Sequence, residues 1–178
     1  MGLTPPDLAA RARRLRLLLF DVDGVLTDAS VVVSGGGRES KTFSIRDGAA
    51  IVWAKQSGLD IGLLSGRASE ATTSRAAELG IDLVIQDGPN KREAFAKLLA
   101  DRHIEAEHVG YMGDDLVDLP VLARAGLAAA PADAVPEVAA EADWVSTQPG
   151  GRGAVREFIE LVLKARGAWE PIVARHRD

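Results

Sequence analysis

The chain has 178 residues, 47% of them hydrophobic and 26% charged, with a formal net charge of −5 and no cysteine. This composition suits one globular domain over residues 1–178 and excludes the disordered and fibrous classes. The absence of cysteine excludes disulfides, thiolate nucleophiles and cysteine-held zinc, and the negative balance gives no support to a nucleic-acid partner.

The opening segment, MGLTPPDLAARARRLRLLLF, carries an apolar run too short for a signal-peptide core or a membrane span, so a cytoplasmic protein with no membrane partner is expected. Arg11, Arg13, Arg14 and Arg16 read as a solvated helix face. Short apolar runs at 15–20, 60–64, 81–85, 108–112, 126–130 and 143–145 predict strands, and helices are predicted at 48–56, 69–79, 91–102, 116–125 and 154–166. The alternation predicts an α/β fold, a Rossmann-like three-layer sandwich around a mainly parallel sheet. Asp47 is placed to cap the helix at 48–56, while Gly58 and Gly80 fall where a left-handed terminal residue is wanted. Residues 29–44, ASVVVSGGGRESKTFS, break the alternation, because β-type runs on either side of three glycines predict a hairpin just after the first strand.

Chemistry concentrates at the ends of the predicted strands. The stretch LRLLLFDVDGVLTD runs a strand into an acidic turn holding Asp21, Asp23 and Gly24, and open α/β sheets bind ligands beyond the carboxyl ends of their strands. There Asp21 is a candidate nucleophile, whose attack on phosphorus splits ester hydrolysis into two easier displacements, and Asp23 a candidate acid and base. Such a site needs a divalent cation and a basic side chain to offset the repulsion between two carboxylates and a phosphate. The other strand ends offer those parts: Ser65, Gly66 and Arg67 in LLSGR, Lys91 after Asn90, and Asp114, Asp115 and Asp118 in GDDLVD. Singly, each is as well read as a helix cap, a turn or a surface charge. Together, after successive strands, they argue for one site. His103, His108 and His176 share no ligand spacing, Trp53 reads as helix packing, and neither SGGGRES nor GPNKREA has the spacing of a nucleotide-binding loop.

DVDGVLTD, the hydroxyl of LLSGR, the lysine of PNKREA and GDDLVD resemble the four successive motifs of the haloacid dehalogenase superfamily. KTFSIRDG, GRASEATTSRAAELGI, GDDLVDLPVL and GGRGAVRE are similar to a narrower branch, the phosphatases of 3-deoxy-D-manno-octulosonate 8-phosphate and of sialic-acid-type sugar phosphates. The resemblance implies a Mg²⁺-dependent phosphomonoesterase without a lid domain, working through an aspartyl phosphate. It makes Asp21 the nucleophile and a metal ligand, Asp23 the acid/base with its backbone carbonyl on the metal, and Asp114 the remaining protein ligand. Asp118 and Asp115 fall in the metal's outer shell, and Ser65 and Lys91 bind the phosphoryl group. Ser44, Ile45, Arg46, Asp47 and Gly48, with Gly66, Arg67, Arg75 and Lys91, are implied around the substrate. Val52 departs from the branch, standing where the octulosonate enzymes carry arginine. The branch also implies a homotetramer in which the hairpin at 30–43 makes the central contact and neighbours cover each site, as the motif spacing leaves no room for a lid. Alternatives are a nonulosonate 9-phosphate or another small ester as substrate, phosphotransfer to a second sugar, and a regulatory or assembly protein that binds phosphate. Asp23 argues against the last, since receiver domains lack that general acid.

Overall fold

The computed structural model describes residues 5–86 and 90–177. The first four residues of the opening segment and Pro89 of the PNKREA motif lie outside the described residues. Helix α1 (Pro5–Arg14) leads into β1 (Leu17–Phe20), a central strand buried on both faces. Its alternation shows why. Leu18 and Phe20 enter the core layer that also holds Ile51 and Phe158, while Leu17 and Leu19 enter the opposite layer with Phe95 and Tyr111.

A separate hairpin follows, β2 (Val32–Val33) antiparallel to β3 (Glu39–Ser40), turned by Gly36 and Gly37, whose φ values of +80° and +77° favour glycine. Then come α2 (Ile45–Gln56), β4 (Asp60–Leu64), α3 (Glu70–Glu78), β5 (Leu83–Ile85), α4 (Lys91–Arg102) and β6 (Val109–Met112). The chain closes with α5 (Leu119–Leu122), β7 (Leu127–Ala130), α6 (Pro136–Glu141), β8 (Trp144–Val145), α7 (Ala154–Ala165) and α8 (Trp169–Arg175).

Among the described residues, six strands form one sheet in the order β5-β4-β1-β6-β7-β8, each neighbouring pair parallel. The chain steps from β1 through β4 to β5, then crosses back to β6 on the other side of β1 and continues to β7 and β8. That reversal opens a crevice at the carboxyl end of β1, the place where this class of fold binds its ligand. Register brings the motifs level there: Phe20 pairs with Leu63 and with Met112, so Asp21, Ser65 and Gly113 leave the sheet at nearly the same height.

All six predicted strands are present, each within two residues of its predicted bounds, and Gly58 and Gly80 adopt positive φ as expected. Some expectations need correction. The N-cap of α2 is Ser44, whose hydroxyl accepts from the Asp47 N–H at 3.2 Å; Asp47 lies inside the helix, and its buried carboxylate accepts from Gly153 and Arg156 at 3.2 and 2.8 Å, capping α7 instead. The predicted helix at 116–125 is a tight 3₁₀ turn at Leu116–Asp118 followed by the four residues of α5. There Asp118 reaches back to cap the turn, and Pro120 lacks the N–H that would carry one helix through. Within the arginine cluster, Arg11 is not simply solvated, because it pairs with Asp143 at 3.2 Å, and Arg13 donates to the Ala165 carbonyl at 2.8 Å, tying α1 to the end of α7. Among the described residues, no helix is long and apolar enough to cross a membrane.

Candidate active site

The crevice is a cleft of about 400 Å³ whose lining includes Asp21, Asp23, Ser65, Arg67, Lys91 and Asp114, brought from the ends of β1, β4, β5 and β6. Gly66, Asp115, Ala29 and Val117 complete its rim. The acidic turn after β1 is held from within by Thr27, whose buried hydroxyl donates to the Val22 carbonyl and accepts from Gly24 and Ala29. Gly24 has φ +90°, and a Cβ there would overlap the Asp114 carboxylate, so glycine lets the two acidic turns close on each other. From behind, Gly151 of the GGRGAVRE motif donates to the Val25 carbonyl at 2.9 Å.

At the floor, Lys91 lies 2.8 Å from Asp21 and 2.6 Å from Asp118, and all three are almost wholly buried. Burial alone would lower the Lys91 pKa, yet Asp21 and then Asp118 outweigh it and hold the ammonium above the ordinary lysine range. Burial pushes the Asp21 carboxyl up to about 6, against the pull of Lys91. Burial and then the Asp21 and Asp118 charges push Asp114 up to about 8. Two carboxyls raised side by side mark a place where negative charge is short of compensation.

Asp21, Asp114 and Asp118 offer oxygens within 4.8 Å of one another, a hard-oxygen set suited to Mg²⁺. Counting acceptor sites divides them. Asp118 Oδ1 takes Lys91 and the Tyr111 hydroxyl, and Oδ2 takes the N–H groups of Asp114 and Asp115 at 3.0 and 3.2 Å, which fills the roughly four positions a carboxylate has. Asp114 Oδ1, by contrast, is buried with no hydrogen-bond partner among the described residues. The residues therefore fit a cation held by Asp21 and Asp114, with Asp118 fixing the loop and the lysine around it.

The other predicted residues fall as follows. Ser65 is buried, and its hydroxyl is engaged with the Arg67 backbone. Asp115 is exposed and caps the 3₁₀ turn through the Leu116 N–H at 2.7 Å. The segment at 44–48 and Arg75 do not reach this cleft within the chain. Ser44 and Asp47 are used as caps, Ile45 is exposed, and Arg46 faces a separate depression beside Arg152 and Arg156. Arg75 donates to the Ser44 carbonyl and pairs with Glu78, crowding Gly48 so closely that a side chain there would overlap it. Val52 is half-buried on α2 and does not line the cleft. None of the three histidines lines the cleft either: His103 ends α4 at φ +50°, His108 stands near Glu107, and His176 packs edge-on to Trp53. Sequence reasoning missed Tyr111, which had no signal beyond an apolar strand, and Lys41, whose ammonium lies 2.7 Å from Asp23.

A family model described as haloacid dehalogenase-like hydrolase matches residues 81–159. The chain is 43% identical, over 93% of its length and 88% of the relative's, to 3-deoxy-D-manno-octulosonate 8-phosphate phosphatase of Escherichia coli strain K12. A crystal structure of the enzyme of that name from Yersinia pestis superposes with a TM-score of 0.90 at 41% identity, covering 92% of this chain and 89% of that one. The Moraxella catarrhalis enzyme, solved in complex with a magnesium ion, a phosphate ion and the KDO molecule, superposes with a TM-score of 0.93 at 35% identity, covering 96% and 98%. A strand order that reverses at β1, four motifs meeting in one cleft at its end and this likeness over nearly the whole length agree. The chain belongs to the haloacid dehalogenase-like hydrolases, in the family of the 3-deoxy-D-manno-octulosonate 8-phosphate phosphatases.

Proposed function

We propose that the protein is a cytoplasmic, Mg²⁺-dependent phosphatase that hydrolyses 3-deoxy-D-manno-octulosonate 8-phosphate to the free sugar acid and inorganic phosphate. The observation that carries the reading is the buried Asp21–Lys91–Asp118 row beside an orphaned Asp114 oxygen, in a chain 43% identical to an enzyme of that name. Asp21 attacks phosphorus, the P–O bond to the sugar breaks, and Asp23 gives its proton to the departing alkoxide. Asp23 then takes a proton from the water that attacks the aspartyl phosphate, releasing phosphate and restoring Asp21. Lys91 and Ser65 hold the phosphoryl oxygens as charge redistributes. Asp21, Asp114 and the Asp23 backbone carbonyl would hold the magnesium, which supplies the positive charge that lets a phosphate approach two carboxylates.

The cleft is built by one chain, and the segment at 44–48 and Arg75 stand away from it. We assign those residues to a neighbour's site in a homotetramer assembled through the hairpin, whose Val32 and Val33 are 63% and 69% exposed. The test is phosphate release from a panel of sugar phosphates in magnesium, with nonulosonate 9-phosphates included. The octulosonate ester should give the highest kcat/KM, and excess chelator should abolish turnover. A higher kcat/KM on another ester would overturn the substrate, and full turnover in chelator would overturn the metal.

A further inference from the structure

Lys41 stands one residue past β3, at the base of a hairpin that is otherwise largely solvated, yet its side chain is fully covered. Burying an ammonium is costly unless charge compensates it. Two carboxylates do so, Asp23 Oδ1 at 2.7 Å and Glu39 Oε1 at 3.5 Å, in contacts set by charge and distance rather than by hydrogen-bond angles. Arg67 closes the figure from the other side, 2.7 Å from Glu39 Oε2 and 3.8 Å from Asp23 Oδ2. Four charges thus alternate around a ring: Asp23 after β1, Lys41 and Glu39 from the hairpin, and Arg67 after β4. Asp23 Oδ1 is buried while its side chain as a whole keeps 21% exposure, which turns Oδ2 toward the cleft.

From this ring we infer that Lys41 is a positioning residue for the acid/base step: it pins Asp23 Oδ1 so that Oδ2 faces the leaving oxygen, and it makes that alignment depend on the seating of the hairpin. The inference rests on the phosphatase reading above. Lys41 itself exchanges no proton in it. Asp23 Oδ2 gives a proton to the alkoxide as the P–O bond breaks and regains one from the attacking water, so the cycle balances on Asp23 alone. Glu39 bridges Lys41 and Arg67 and, as the nearer partner of Arg67, draws that side chain, 55% exposed at the cleft rim, away from Asp23.

The experiment uses the full-length protein in magnesium, with Lys41→Met and Lys41→Arg. General acid catalysis is worth about 10²-fold or more, and only a poor leaving group needs it. Lys41→Met should therefore lower kcat on the octulosonate ester at least about tenfold more than kcat on p-nitrophenyl phosphate. Lys41→Arg should recover part of that difference, which loss of packing alone would not produce. Crystals of Lys41→Met should show the Asp23 carboxylate swung toward Arg67. Equal losses on both esters, or an Asp23 that stays in place, overturn the inference. If Lys41→Met does not fold, Glu39→Gln takes its place, expected to give the same leaving-group bias at smaller size, and an unbiased loss counts against the ring. A wild-type protein that hydrolyses neither ester instead overturns the phosphatase reading, and the Asp23 position in the Lys41→Met crystal then still decides the role of Lys41.

Discussion

Asp118 shows how much one side chain can organise. It carries no reacting atom in the proposed mechanism, yet its two oxygens hold Lys91, Tyr111 and the N–H groups that shape the Asp114 loop. Asp118→Asn replaces one acceptor oxygen with an amide that faces donors and removes the charge opposite a buried ammonium. Breaking one partner of a buried pair costs about 3–5 kcal/mol, so the urea midpoint should fall steeply and turnover with it. A variant as stable as the wild type would show that Lys91 is held by Asp21 alone. The raised carboxyls make a second residue-scale prediction. In the unfolded chain Asp titrates near 4, whereas in the metal-free fold Asp21 and Asp114 are pushed up to about 6 and about 8. The fold thus favours their neutral forms, and that share of stability is present below about pH 4 and lost as pH rises through about 6 and 8. Magnesium needs the ionised forms and compensates them. The difference in melting temperature between saturating magnesium and metal-free protein should widen from about pH 5.5 to 8.5, by about 2–4 °C for every kcal/mol recovered. A gap that stays flat or narrows over that range would rule out proton–metal competition at these carboxyls.

At the scale of elements, α2 and α7 are joined by a cap that crosses between them. The Asp47 carboxylate, buried at the start of α2, accepts from two N–H groups at the start of α7, whose own N-cap residue is Gly153 and supplies no side chain. Asp47→Ala should uncap α7 and cost about 1–2 kcal/mol, read as a lower urea midpoint with an unchanged slope; an unchanged midpoint would mean that the caps are satisfied otherwise. This long-range cap also marks the limit of the sequence. An aspartate just before a helical run reads as that helix's own cap, because spacing reports local partners, and the true partner lies more than a hundred residues away. The strands were legible since a central β1 flanked by βα units needs unbroken apolar runs, and the polar residues of the four motifs were legible because they follow those runs. Short helices were not. The six residues of α6 show too little periodicity, and α8 is fixed by Trp169 packing edge-on to Trp53 at 5.8 Å, a contact that no local pattern announces. Lys41 escaped notice likewise, since a lysine beside a glycine-rich hairpin reads as solvated until the fold turns it inward.

For the whole molecule, the question is what finishes the active site. Between β1 and β4 the chain supplies only the hairpin and α2, and between β4 and β5 only α3, so the cleft opens directly at the carboxyl end of the sheet. An aspartyl phosphate left in water would be hydrolysed without regard to the sugar, and a substrate with a distant carboxylate needs walls that these segments do not provide. The hairpin supplies a route to such walls. Val32 and Val33 are turned outward on a two-stranded ribbon whose edges are unprotected, a liability unless another surface covers it. Val32→Asp places a carboxylate in that surface, and burying it unpaired at a subunit contact costs several kcal/mol. Light scattering should therefore report smaller species. The carboxylates assigned to catalysis above are untouched, so hydrolysis of p-nitrophenyl phosphate should survive in part while kcat/KM on the octulosonate ester falls further, since in the proposed tetramer only its distal groups lean on the neighbour. A wild-type protein that is already a fully active monomer would remove the premise. A variant that dissociates yet keeps the same kcat/KM on both esters would place all the specificity within one chain and return Arg46 and Arg75 to a purely structural role.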